Sequence, residues 1–132
     1  MAAIHEACRS GRLDAEVALV AAPAEDAPAL LRASELGIAV RAIPYDTADY
    51  GAVLADAFGI CEVLCLAGYL RLVPTEVLQA FPDRVLNIHP ALLPKFGGKG
   101  MYGIRVHQAV LEAGEPRVLT MLRRFGYDVK PS

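Results

Sequence analysis

Asn87 and His89 stand two residues apart at the end of the apolar run Val85-Leu86-Asn87-Ile88, immediately before Pro90. Residues two apart in extended backbone project from the same face, and a proline biases the residue before it away from helical geometry. Both side chains are therefore expected to address one ligand. An imidazole gives and takes a proton near neutral pH, while a primary amide donates a hydrogen bond to an oxyanion without joining the proton transfer. Acyl transfer needs both. The same spacing fits a capping histidine beside a turn asparagine at a strand end, and spacing alone leaves the two readings open. His5 and His107 fall in helical patterns far from this segment and are assigned to structure. No His or Cys pair has ligand-like neighbours, so no metal site is expected.

The elements that must position Asn87 and His89 follow from alternating short apolar runs and capped helices. Ala3, Ile4 and Cys8 fall near one helical face, with Gly11 as terminator, so the chain is expected to begin with a short helix. Val17 to Ala22 is a continuous apolar run of strand length, as expected of a strand buried on both faces. Asp26 is the expected cap of a helix carrying Ala29, Leu30 and Ala33; Gly37 ends it before a strand from Ile38 to Ile43. Asp46 or Thr47 is the expected cap of the next helix, which reaches Phe58 and precedes a strand over Val63 to Ala67. Pro74 opens a helix with Val77, Leu78 and Phe81 on its apolar face, and Val85 to Ile88 is the last strand. This alternation predicts an α/β fold with a doubly wound, mostly parallel sheet. In such sheets ligands bind beyond the carboxyl ends of the strands, which is where Asn87 and His89 lie. The segment 89–103 holds two prolines and four glycines and reads as a long functional loop. Ile104 to Ala113 is then helical, with Val106, Ala109, Val110 and Ala113 on neighbouring turns.

Composition narrows the function class. The chain has 132 residues, 55% hydrophobic and 21% charged, which suits one folded domain and not a disordered segment. A net charge of −2 offers no footprint for a polyanion, so small-molecule substrates are expected and nucleic acid is not. Three cysteines and no basic-then-apolar leader point to a reducing, cytoplasmic setting. Cys61 and Cys65 are expected to share one strand face and to pack as small hydrophobes. No run approaches the roughly 18–20 apolar residues that span a bilayer, so no membrane partner is expected.

The segment Asn87-Ile88-His89-Pro90-Ala91-Leu92-Leu93-Pro94 is similar to the signature of folate-dependent formyltransferases. The loop Lys95-Phe96-Gly97-Gly98-Lys99-Gly100-Met101-Tyr102-Gly103 and the following Val106-His107-Gln108-Ala109-Val110 resemble the glycinamide ribonucleotide formyltransferase branch. That continuation favours it over the methionyl-tRNA formyltransferases and the formyltetrahydrofolate deformylases. Leu66-Ala67-Gly68-Tyr69-Leu70-Arg71-Leu72-Val73 resembles the family's pterin-lining stretch, and the likeness runs from about Met1 to Glu115. The resemblance implies a Rossmann-type fold and transfer of a formyl group from 10-formyltetrahydrofolate, the co-substrate, to the amine of glycinamide ribonucleotide, with very low activity expected of this chain because several of the family's functional elements do not occur in it. It implies His89 as general acid, Asn87 as oxyanion donor and donor contact, and Leu70, Arg71, Leu72 and Val73 as the pterin pocket. For Arg71 a solvated surface charge is the competing reading.

The resemblance also sets expectations about the two ends. The family's first strand and its Gly-Ser-Gly-Ser-Asn phosphate loop do not occur in this sequence, so the neighbouring strands are expected to lack a central partner and the fold to be marginal. Residues 1–115 are expected to form a partial formyltransferase-like domain, and 116–132 a divergent tail with four basic residues and one acidic, as a truncated or frameshifted reading frame would leave it. In that tail Gly126-Tyr127-Asp128 resembles the family's aspartate loop, though its spacing is short and Gly-Pro does not follow. Asp128 is thereby the candidate to orient His89, against a solvated acid in a frayed tail.

Two other readings stand beside the enzyme. One is an inactive, folate-binding remnant, for which a homodimer paired through strand edges is the natural partner. The other is a dinucleotide-binding domain, since Gly98-Lys99-Gly100-Met101-Tyr102-Gly103 matches Gly-x-Gly-x-x-Gly. Its glycines, however, begin about ten residues after the strand and no acidic residue closes a βαβ unit.

Overall fold

A computed structural model of the chain describes residues 1–88, 91–101 and 104–114. The chain divides into two compact units, Met1–Asn87 and Ile88–Ser132. The first begins with α1 (Ala2–Arg9), closed as expected by Gly11 at φ +71°. It continues through β1 (Leu19–Ala22), α2 (Pro28–Glu35), β2 (Ala39–Ala42), α3 (Tyr50–Ala57), β3 (Leu64–Leu66), α4 (Thr75–Ala80) and β4 (Val85–Asn87). The second holds α5 (Ile104–Glu112).

The expected α/β alternation with parallel strands is present. β1 pairs with β2 in parallel from Leu19↔Ala39 to Ala22↔Ala42, and β3 pairs with β4 from Leu64↔Val85 to Leu66↔Asn87. The four strands form two two-stranded sheets and not one continuous sheet. Parallel neighbours need a crossover, and α2 supplies it for the first pair, packing on both β1 and β2. Ladder hydrogen bonds run just past the strand ends: Ile43 N–H donates to Ala22 O at 2.8 Å, and Leu64 N–H to Arg84 O at 2.9 Å.

Both sheets contribute to one core. Ile43, Leu54, Ala57, Phe58, Leu64, Val77 and Phe81 are buried together, with Leu19, Ala21, Leu66, Val73 and Val85 packed against them. Arg84 ties the rim of this core. Its guanidinium lies 5.5 Å from the Phe81 ring centroid and donates to Ala80 O at 3.1 Å and Glu62 O at 3.3 Å. That fastens the end of α4 to the approach into β3. In the second unit Phe96, Val106 and Val110 are buried with Ala91, Leu92 and Met101 around them, so the segment before α5 folds onto that helix.

Several local expectations are corrected. Asp26 does not cap α2. The helix begins at Pro28, whose fixed φ suits a first turn, and Ala27 is the cap residue without a side-chain bond. Neither Asp46 nor Thr47 caps α3: Thr47 N–H closes a turn onto Pro44 O at 3.1 Å. The helix starts only after Asp49, at φ 53°. Leu78 is 49% exposed, so α4 itself buries Val77 alone, with Phe81 buried just past its end. Cys65 is exposed, and Cys61 precedes β3 and packs on the core, so the two thiols do not share a buried strand face.

Candidate functional site

The register of the second strand pair sets the candidate site. Leu66 and Asn87 are direct partners and end their strands together. The segment 67–73 therefore leaves β3 beside Asn87, at the carboxyl ends, where a parallel sheet presents ligand-binding groups. Asn87 is exposed there. Its partners in the sequence-based proposal, His89 and Asp128, lie outside the described residues.

Around Asn87 the four expected pocket residues divide by role. Leu70 and Leu72 are 68% and 95% exposed, an unusual amount of leucine surface for one short turn. Val73 packs inward on the core and anchors the segment. Arg71 is exposed, but its guanidinium stands over the Tyr45 ring, 4.6 Å from the centroid. Face-on contact with a tyrosine distinguishes it from a merely solvated charge.

Three tyrosines join the site that spacing in the sequence did not single out. Tyr45 follows β2, Tyr50 opens α3 and Tyr69 follows β3. Tyr45 meets Tyr50 edge-on at 5.6 Å and Tyr69 at 6.3 Å, within the range where such pairs attract. Tyr69 O–H donates to Leu72 O at 3.4 Å, bending the 69–72 turn back on itself. Burial pushes the Tyr50 hydroxyl well above its ordinary value of 10. A hydrogen bond with Tyr69 and the neighbouring Tyr69 and Tyr45 hydroxyls add to that rise, and Arg71 opposes it. Near pH 7 Tyr50 therefore keeps its proton and serves as a hydrogen-bonding group. The signal in the sequence is slight: a tyrosine shortly after two of the apolar runs.

Chemically the arrangement offers an amide able to donate to an oxyanion, an exposed guanidinium held over a tyrosine ring, and leucine surface for a flat apolar body. A concavity of about 560 Å³ lies elsewhere, lined by His5, Cys8 and Arg9 with the amino-terminal approaches to β1 and β2. It is at the opposite ends of those strands, and among the described residues no three metal-capable side chains cluster. No helix among the described residues is long and apolar enough to cross a membrane.

The chain is similar to formyltransferases in both sequence and structure. It is 45% identical over 119 residues to the chloroplastic phosphoribosylglycinamide formyltransferase of Arabidopsis thaliana, covering 84% of this chain and 40% of that protein. It is 32% identical over 118 residues to the phosphoribosylglycinamide formyltransferase of Haemophilus influenzae, covering 85% of this chain and 53% of that one. Among solved structures, the glycinamide ribonucleotide transformylase 1 of Symbiobacterium toebii superposes with a TM-score of 0.73 at 38% identity, over 85% of this chain and 53% of that one. The phosphoribosylglycinamide formyltransferase of Bacillus halodurans gives 0.74 at 30% identity, over 85% and 58%. The chain spans roughly two fifths to three fifths of the length of these relatives. Residues 1–121 match the model of the family described as formyl transferase, and with the fold agreeing, the chain belongs to that family.

Proposed function

We propose that the chain carries the donor side of a glycinamide ribonucleotide formyltransferase site and takes part in moving a formyl group from 10-formyltetrahydrofolate to the amine of glycinamide ribonucleotide. The observation that carries this reading is the Leu66↔Asn87 register, which sets the 67–73 segment beside the exposed amide at the carboxyl ends of β3 and β4. The exposed leucines, the ring-stacked arginine and the amide suit a flat heteroaromatic body with polar edges. In this reading Leu70, Leu72 and the backbone of the turn hold the pterin, Val73 anchors them, and Arg71 meets an oxygen acceptor of the donor. As the substrate amine attacks the formyl carbon, negative charge develops on the formyl oxygen, where the Asn87 amide donates a hydrogen bond. Collapse of that adduct breaks the bond between the formyl carbon and the donor nitrogen; His89, as general acid, protonates that nitrogen as tetrahydrofolate leaves, and Asp128 orients His89 and relays away the proton that the amine loses.

The same reading covers residues 1–115 as the formyltransferase-like part and 116–132 as a tail. It takes small molecules as partners, a homodimer as the assembly and the cytoplasm as the setting, which three free thiols suit. Single-turnover formyl transfer to glycinamide ribonucleotide tests it. Transfer by the full chain is expected to fall about 100- to 1,000-fold in Asn87→Ala; no transfer, or transfer indifferent to His89→Ala, contradicts the assignment.

A further inference from the structure

We infer that Tyr45 is a positioning residue that presents Arg71 to the formyl donor, an inference that rests on the reading of Arg71 as a donor contact. Arg71 follows β3 on an exposed turn, where a long side chain is free to sample many rotamers. Its guanidinium is nevertheless set over the Tyr45 ring at 4.6 Å. No described carboxylate forms a salt bridge with it. The ring is itself braced, edge-on against Tyr50 at 5.6 Å and Tyr69 at 6.3 Å. Tyr69 in turn is tied to the Arg71 turn through its bond to Leu72 O.

The geometry divides the guanidinium's two modes of interaction. Stacking uses its face, whereas its five N–H donors lie in its plane and point outward from the edge. Contact with Tyr45 therefore restrains the group, and among the described residues no side-chain hydrogen bond occupies the donors that a carbonyl or carboxylate of the ligand accepts. Ordering before binding lowers the entropic cost of binding. The site thus spans two strand exits: Tyr45 comes from the end of β2 and Arg71 from the end of β3.

The test is calorimetric titration of the full chain and its variants with a non-reactive 10-formyltetrahydrofolate analogue, each variant checked for folding by circular dichroism. Tyr45→Phe keeps the ring and is expected to bind as the unaltered chain does. Tyr45→Leu removes it and is expected to weaken binding about two- to fivefold, the size of an exposed cation–π contact. In an Arg71→Leu background the Tyr45→Leu effect is expected to vanish. Should Tyr45→Leu not fold, pentafluorophenylalanine at position 45, which keeps the ring's shape and reverses its quadrupole, is expected to weaken binding likewise. Equal binding by ring-retaining and ring-lacking variants, or a Tyr45 effect that persists without Arg71, overturns the positioning role alone. Unchanged binding in Arg71→Leu overturns the reading of Arg71 as a donor contact and the inference with it.

Discussion

Leu66 and Asn87 face each other as the last partners of a two-stranded parallel ladder, so the turn after β3 and the amide that ends β4 leave the sheet at the same level. Twenty-one positions of sequence separate them, and helix α4 lies between. The ladder is held from below by Leu64, Val77 and Phe81, which are 6%, 0% and 3% exposed. The site's geometry thus depends on a small core directly beneath it.

Phe81→Ala removes a ring from that core and is expected to cost about 3–5 kcal/mol. Leu78→Ala, one turn away and half exposed, is expected to change stability by no more than about 0.5 kcal/mol. Urea denaturation followed by circular dichroism compares the two; equal losses would contradict the inward face assigned to α4.

Gly51 lies where α3 approaches α4. A Cβ there would stand 2.8 Å from Pro74 Cβ and press on the Glu76 carboxylate. The carboxylate can swing away, but the proline ring cannot. Gly51→Ala is therefore expected to lower stability by about 1–3 kcal/mol through overpacking, outweighing the roughly 0.5–1 kcal/mol that alanine contributes inside a helix. A raised urea midpoint would show that the two helices have room to part.

The thiols give a chemical probe of the same packing. Cys65 is exposed, whereas burial pushes the Cys61 thiol above its ordinary value of 9.0. Iodoacetamide at about pH 8 is expected to modify Cys65 well before Cys61, since only the thiolate reacts. Peptide mapping reads the order, and the reverse order would contradict the placement of Cys61 against the core.

Much of this was legible in the sequence. The runs at 17–22, 38–43, 63–67 and 85–88 each contain an observed strand, because short apolar runs bounded by turn residues suit extended backbone; the expected burial on both faces is not met, since β1 is half-buried and β2 and β4 are mostly exposed. Asn87 was legible because a polar residue interrupting such a run stands out. The tyrosine cluster was not: positions 45, 50 and 69 meet only because the exits of β2 and β3 converge, and no local period records that. Leu78 misled because helical spacing places it on the same broad arc as Val77 and Phe81, and spacing does not tell how wide the covering surface is. The helix caps at Asp26 and Asp46 misled for a different reason, since the turns that precede α2 and α3 run longer than the first capping residue suggests.

Tyr50 makes the fold sensitive to alkali. An acid whose folded value is raised keeps its proton longer when folded, so above its ordinary value of 10 the unfolded chain binds fewer protons and stability falls as pH rises; below that value the group has no effect on the pH dependence. The urea midpoint is expected to fall as pH rises above about 10, and Tyr50→Phe to flatten the fall. An equally steep drop in Tyr50→Phe would contradict the burial assigned to this hydroxyl.

The most direct test of the donor site is calorimetric titration of the folded chain with a non-reactive 10-formyltetrahydrofolate analogue, beside Asn87→Ala and His89→Ala. The site described here predicts saturable binding with one analogue per chain, weakened about two- to tenfold by Asn87→Ala, the loss expected of a single hydrogen bond. No binding by a chain shown to be folded, or binding unaltered by Asn87→Ala, would contradict it.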